Sequence, residues 1–190
     1  MKKAIVIIVI IMAVAVLAGC EAKPKIEYFQ ISKEDIAANL NDPQSIIEPL
    51  WWSVSIYDGP EKYESDLNEF SLPQRYVFAI QWYIAEVNNG GHEQFFFNST
   101  GIVWKDALQG FKEIGHKRAE QILQSAIDKI GGNPPLSRET RQAILEKCEA
   151  DFENLDSELC EINDLESEIM QYIKAHAEYF LFSGNVEFPY

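Results

Sequence analysis

The chain has 190 residues, 47% hydrophobic and 12% aromatic, with 30 Asp and Glu against 16 Lys and Arg and a formal charge of −14. That length and apolar content provide for one domain with a sizeable core. The acidic excess argues against direct nucleic-acid binding, which needs basic surface, and leaves either a basic protein partner or a plain soluble surface.

The first segment is patterned for export. Lys2 and Lys3 precede an uncharged, almost wholly apolar run from Ala4 to Val16, followed by Leu17-Ala18-Gly19-Cys20 and the polar stretch Glu21-Ala22-Lys23-Pro24-Lys25. A basic start, a short apolar core and small residues before a cut are the marks of a secretory signal. The run from Ala4 to Gly19 falls short of the roughly 20 residues a spanning helix needs. Leu17 to Cys20 resembles the bacterial lipobox at all four positions. The resemblance implies cleavage before Cys20, a diacylglyceryl thioether on its sulfur, and an acylated (palmitate-type) new N-terminus. More than one acyl chain is what stable anchoring requires.

The expected organisation is therefore a signal peptide over 1–19, a lipidated tether over 20–31 and a domain over 32–190, held in the cell envelope by lipid alone. Glu21 in place of Asp after the lipidated cysteine leans toward the outer membrane of a diderm. Within the tether, Ile26, Tyr28 and Phe29 can dock on the domain.

Ser32, with Asp35 three residues on, caps a short helix to about Leu40. Asp42-Pro43 starts the next, with an apolar stripe of Ile46, Ile47, Leu50 and Trp51, and Gly59-Pro60 stops it. Tyr63, Leu67 and Phe70 recur at helical spacing. Ser71-Leu72-Pro73 opens the most apolar helix, with Tyr76, Val77, Ile80, Tyr83, Ile84 and Val87, which ends at Asn88-Asn89-Gly90-Gly91. Ser99 or Thr100 caps a helix carrying Val103, Trp104, Leu108 and Phe111. Gly115 separates it from one carrying Ala119, Ile122, Leu123 and Ile127, and Gly131 to Pro135 is a loop.

Ser137 caps the last helical stretch. Ile144, Cys148, Phe152, Leu155, Leu159, Ile162, Met170 and Ile173 fall on one arc of a helical wheel, in phase throughout. One helix from 138 to 176 would be about 58 Å long at 1.5 Å per residue, too long for a domain with a radius of gyration near 15 Å. A break is expected near Asn154 to Ser157, with Asp156 or Ser157 capping a new helix. Only a sharp turn there would let Cys148 and Cys160 form a disulfide. The tail from Phe180 reads as extended, no sheet is expected, and the fold class is all-α.

The segment Glu86-Val87-Asn88-Asn89-Gly90-Gly91-His92-Glu93-Gln94-Phe95-Phe96-Phe97-Asn98-Ser99 resembles the signature of the DNA-mimic protein family DMP-nineteen. Asn88, Asn89, Gly90, Gly91, Gln94, Phe95, Phe96 and Asn98 carry the match. Ile114-Gly115, Phe152-Glu153-Asn154-Leu155-Asp156, and Tyr172-Ile173 with Phe180 extend it over about Trp51 to Tyr190. The resemblance implies an all-helical fold and, for the founding protein, mimicry of DNA against a DNA-binding regulator. A lipid-anchored chain stands outside the cytoplasm, so the partner expected here is another basic protein.

Between Glu146 and Glu168 ten acidic residues meet one basic residue, Lys147. On a continuous helix Glu149, Glu153, Asp156, Glu161, Asp164 and Glu168 would form a ridge opposite the apolar arc. Such a ridge is a surface that a Lys- or Arg-rich groove can match, or else a solvated face. Asn88 to Ser99 reads either as a structural corner or as a ligand loop. His92, His116 and His176 are scattered, with no ligand-spaced pair, so no metal and no cofactor are expected. No nucleophile or phosphate-loop signature is present. The expected function is non-catalytic: an acidic envelope module binding a basic protein surface. The alternatives are an immunity-like toxin inhibitor and a hydrolase using the Asn88–Ser99 region.

Overall fold

A computed structural model describes residues 25–188. The Lys2–Gly19 signal, Cys20 and the first residues of the expected tether lie outside the described residues. None of the described helices is long and apolar enough to cross a membrane.

The chain opens with strand β1 (Lys25–Ile31) and helices α1 (Lys33–Ala38), α2 (Pro43–Ile46), α3 (Glu48–Ser53) and α4 (Pro60–Leu67). Helix α5 (Leu72–Phe97) follows, then a 3-10 turn (Ser99–Val103), α6 (Trp104–Ile114), α7 (Lys117–Lys129), α8 (Arg138–Leu145), α9 (Glu153–Cys160) and α10 (Leu165–Ala175). A second 3-10 turn (Ala177–Tyr179) leads into strand β2 (Phe182–Phe188). The fold is mostly helical, as expected, with a small sheet that was not.

The helix starts follow local chemistry. Ser32 and Ser71 each form a capping box, with Asp35 and Gln74 as the third residues, and Asp42 and Ser137 accept from the backbone of Ser45 and Thr140. Pro49, without an N–H to donate, divides the expected helix after Asp42 into α2 and α3. Gly59-Pro60 ends nothing by itself; it starts α4, with Pro60 in the first turn. Ser99 and Thr100 do not cap α6. They sit inside the 3-10 turn, and α6 has no side-chain cap.

Helix α5 is the spine. Val77, Phe78, Ala79, Ile80 and Tyr83 are fully buried, and α2, α3, α6, α8 and α9 all pack on it. Gly110 lets α6 approach closely: a Cβ there would lie 2.8 Å from Ile80 Cδ1 and 3.0 Å from Tyr76 Cβ.

Residues 25–31 are not tether, and the C-terminal tail is not merely extended. β1 and β2 pair antiparallel, Lys25 opposite Phe188 and Ile31 opposite Phe182. Alternation drives the pairing: Ile31 and Val186 turn inward and are buried, while Ile26 and Tyr28 face solvent rather than docking. Phe29 stacks on Phe188 at 5.8 Å, and Tyr28 Oη lies 2.7 Å from Ser183 Oγ.

The in-phase stretch after Ser137 is also not one helix broken at Asn154–Ser157. It is three helices, and the breaks fall at 146–152 and 161–164; Asp156 and Ser157 lie inside α9. Each short piece reaches a different neighbour: α8 and α9 pack on α5, α9 on α7, and α10 on α1, α2 and α6. A straight rod of that length could cover only one of these surfaces. Cys148 and Cys160 are free thiols.

The Ser71 box also ties the C-terminal region down, since Ser71 Oγ reaches Tyr179 O at 3.0 Å. Ser71→Ala is expected to lower stability by about 1 kcal/mol, read as a shifted denaturation midpoint with an unchanged m-value.

Candidate functional site

The Asn88–Ser99 segment holds a bend of α5 and the end of that helix. Gly90 (φ −158°, ψ 21°) and Gly91 (φ 78°, ψ 179°) leave helical geometry, and the helix resumes at His92. Gly91 occupies backbone space that only glycine reaches readily, and a Cβ on it would lie 2.4 Å from Asp156 Oδ2.

The bend frees the backbone N–H of His92, which donates to Asp156 Oδ1 at 2.8 Å. Asp156, on α9, thus supplies from elsewhere in the chain what a local capping residue supplies at an ordinary helix start. The same oxygen takes the His92 Nδ1–H. Tyr83 Oη lies 2.7 Å from His92 Nε2. Burial pushes the Tyr83 phenol well above its ordinary range, so it keeps its proton and donates to Nε2. Burial also lowers the His92 pKa, more than the contact with Asp156 raises it. The network therefore assigns a neutral imidazole with its proton on Nδ1.

Tyr83, His92 and Asp156 form a chain in the order of an acid–base relay. Both imidazole nitrogens are committed and the ring is fully buried, stacked on Phe152 at 5.9 Å. What this geometry does is lock α9 against the bend.

The remaining motif residues close the same corner. Glu86 Oε1 accepts from Gln94 Nε2 at 2.8 Å and Asn98 Nδ2 at 2.6 Å. Phe95 and Phe96 are fully buried, and Phe95 meets Tyr83 edge-on at 5.1 Å. Asn88 and Asn89 are exposed; Asn88 Oδ1 accepts from Cys160 Sγ at 3.6 Å.

The carbonyls at the end of α5 are taken by α8. Arg141, 1% exposed, donates to Phe96 O, Asn98 O, Pro135 O and Leu136 O at 2.6–3.1 Å. Burial, with Arg138 nearby, pulls its pKa down to about 10. The group stays charged at neutral pH, where a cation suits a helix C-terminus. Arg141 carried no sequence signal, because Ser137-Arg138-Glu139-Thr140-Arg141 reads as a solvated first turn.

The six acidic residues do not form one ridge. Glu149 is exposed in the linker before α9, and Glu153 is exposed at its first turn. Asp156 points inward to His92. Glu161 Oε2 pairs with Arg118 at 3.1 Å. Asp164 Oδ1 stands 3.6 Å from His116 Nε2, while His116 Nδ1 accepts the Ala119 N–H at 3.1 Å and caps α7. Glu168 borders the same hollow of about 440 Å³ as Glu161 and Asp164, beside Lys117 and Arg118. The wheel erred because it assumed continuous helix. Half of the ridge instead meets the start of α7. Glu146, Glu149, Asp151, Glu153 and Glu158 remain exposed and without an ion pair among the described residues. Among the described residues no group of three or more His, Cys, Asp or Glu could hold a metal ion.

Two outcomes test this corner. Gly91→Ala is expected to cost about 2 kcal/mol or more, from backbone strain and the displaced Asp156. Because His92 is held neutral, the unfolded chain binds its proton at higher pH than the folded one. Stability should be full above about pH 6.5 and should decline as pH falls through the lowered folded value. Denaturant titrations at stepped pH should show this limb in the wild type and its loss in His92→Gln.

No curated protein and no solved structure matches the chain. A family model does match, over residues 68–176, and its description is DMP19-like protein. The match spans the bent helix, the Tyr83–His92–Asp156 lock and Arg141, and covers more than half of the chain. The chain belongs to the DMP19-like protein family.

Proposed function

We propose that this chain is an envelope lipoprotein, anchored through Cys20, whose helical domain binds a basic protein surface without catalysing a reaction on it. The observation that carries the reading is the exposed acidic strip of the α8–α9 linker and α9. Glu146, Glu149, Asp151, Glu153 and Glu158 face solvent there, with Lys147 the one basic residue among them. Their field attracts a cationic partner over the Debye length of about 8 Å at physiological ionic strength, so the strip steers association and adds charge-assisted contacts. Asp156, turned inward onto His92, holds in place the helix that carries Glu153 and Glu158.

The Asn88–Ser99 corner supports this reading over a hydrolase. Its polar groups satisfy one another across the bend, and its Phe95 and Phe96 side chains fill the core.

Two experiments test the proposal. Cys20→Ser should leave an unlipidated precursor that is lost from the membrane fraction; normal processing and membrane retention would remove the anchor from the reading. The triple variant Glu149→Gln, Glu153→Gln, Glu158→Gln keeps side-chain size and should fold as the wild type does, since surface changes usually cost under about 0.5 kcal/mol. Basic protein captured by the full chain from detergent-solubilised envelope should fall with this variant, and with the wild type at high salt. Equal capture under all conditions returns the strip to a solvated surface.

A further inference from the structure

A broad surface cleft lies away from the acidic strip. It has a volume of about 910 Å³ and runs between α3, the α3–α4 loop, α4 and β2. A smaller hollow of about 240 Å³ continues it on the far side of Trp51 and Trp52.

Its walls are aromatic. Trp51 lies flat on Trp82, ring centroids 3.9 Å apart and 9° from parallel, which fixes both indoles as a rigid wall. Trp52, half-buried, tilts against Phe188 at 4.8 Å. Tyr57 is 72% exposed at the mouth. Large, rigid aromatic groups of this kind anchor protein contacts at small cost in conformational entropy.

Its charge is one-sided. Asp58, Asp66 and Glu187 line the cleft, and Asp42 and Glu48 line the continuation. Asp66 is engaged by Lys62 and by the Ser55 N–H at 3.1 Å. Asp58 holds only a neutral hydroxyl, that of Ser55, at 2.7 Å. Glu187 pairs with no cation within 4.0 Å among the described residues. The single lining cation, Lys62, is therefore spent on Asp66, and the net field in the cleft is negative. A second observation points the same way: Lys25 Nζ sits over the Phe188 ring, 5.7 Å from its centroid. One aromatic face at the rim already takes an ammonium group.

We propose that this cleft binds a Lys- or Arg-bearing segment of a protein partner. The cationic head lies against the half-buried indole of Trp52 and between the carboxylates of Asp58 and Glu187, and the aliphatic stem covers indole surface. The inference rests on the reading that this chain binds basic protein, and it adds a second contact at a separate place. Apart from Trp82, the cleft is built by residues outside the family match at 68–176. The cleft thus lies beside the matched family region, where it can determine which basic partner the chain takes.

The test is calorimetric titration of the purified full chain with a blocked heptapeptide, Gly-Arg-Gly-Lys-Gly-Arg-Gly, and with its counterpart carrying Gln at the three basic positions. Saturable binding of the basic peptide, with at least tenfold weaker binding of the Gln peptide, is expected. Trp52→Ala and the pair Asp58→Asn, Glu187→Gln should each weaken it at least tenfold. Trp52→Phe should restore most of the loss, and circular dichroism should match the wild type in every variant. The strip variant Glu149→Gln, Glu153→Gln, Glu158→Gln should bind the peptide as the wild type does. Absence of saturable binding, equal binding of both peptides, or full binding by the cleft variants overturns the proposal. Saturable binding of chitotetraose in place of the basic peptide also overturns it and makes the cleft a glycan site. Should the strip govern protein capture while the peptide fails to bind, the cleft alone is wrong. Peptide binding lost in the strip variant and kept in the cleft variants places the contact on the strip.

Discussion

One carboxylate holds the domain's organisation together. Asp156 Oδ1 accepts from both the backbone and the ring of His92, and so it fixes α9 against the point where α5 bends. Without the bend, Phe95 and Phe96 would leave the core along a straight helix axis, and α8 would lose the carbonyls that Arg141 binds. Without Asp156, the bend would expose a buried N–H and an imidazole nitrogen with no partner, at a cost of about 1–3 kcal/mol for each group. The glycine pair makes the bend sterically possible, and the carboxylate makes it energetically sound. Neither suffices alone, which is why the Asn-Gly-Gly block and the distant Phe-x-x-Leu-Asp block belong to one device.

The bend of α5 and its C-terminus show how buried polarity is managed here. At the bend, a neutral imidazole is held between a donor, Tyr83, and an acceptor, Asp156. At the C-terminus, the full positive charge of Arg141 is held by the Phe96 and Asn98 carbonyl dipoles. Both solutions remove the charged or polar group from water and then satisfy its hydrogen bonds, as burial demands. The consequence for function is a division of labour among the acidic residues. Those that look alike in sequence divide into structural ones (Asp156, Glu86), one paired with a neighbouring cation (Glu161 with Arg118), and exposed ones free to meet a partner.

Much of the fold was legible from the sequence because it is set locally. Ser32, Asp42, Ser71 and Ser137 cap helices where their side chains stand three residues before a free N–H, and apolar spacing marks the buried face of α5, α6 and α7. What local pattern does not encode is where a chain turns when hydrophobic phase is kept across the turn. Ile144, Phe152, Leu159 and Ile173 stay in phase although three helices carry them, so periodicity implied a rod. The strand pair was hidden for a related reason: Lys25–Ile31 and Phe182–Phe188 have strand character only in each other's company. The corner's polar groups were legible as types, while the partnership of His92 with Asp156, and the burial of Arg141, depend on contacts 64 and 45 residues apart in sequence.

The register of Lys25 with Phe188 joins the first and last described elements. On a chain made from its N-terminus, or threaded through a membrane in that order, β1 emerges long before the strand it needs. The helices between them can collapse on mostly local contacts, whereas the ribbon must close a loop of the whole domain, an entropic cost that grows with the logarithm of loop length. Completion of the ribbon is therefore a late, whole-chain event. The wall that Phe188 gives to the aromatic cleft exists only once synthesis has passed β2, so a chain cut short inside that strand would retain the helical body and lack this wall.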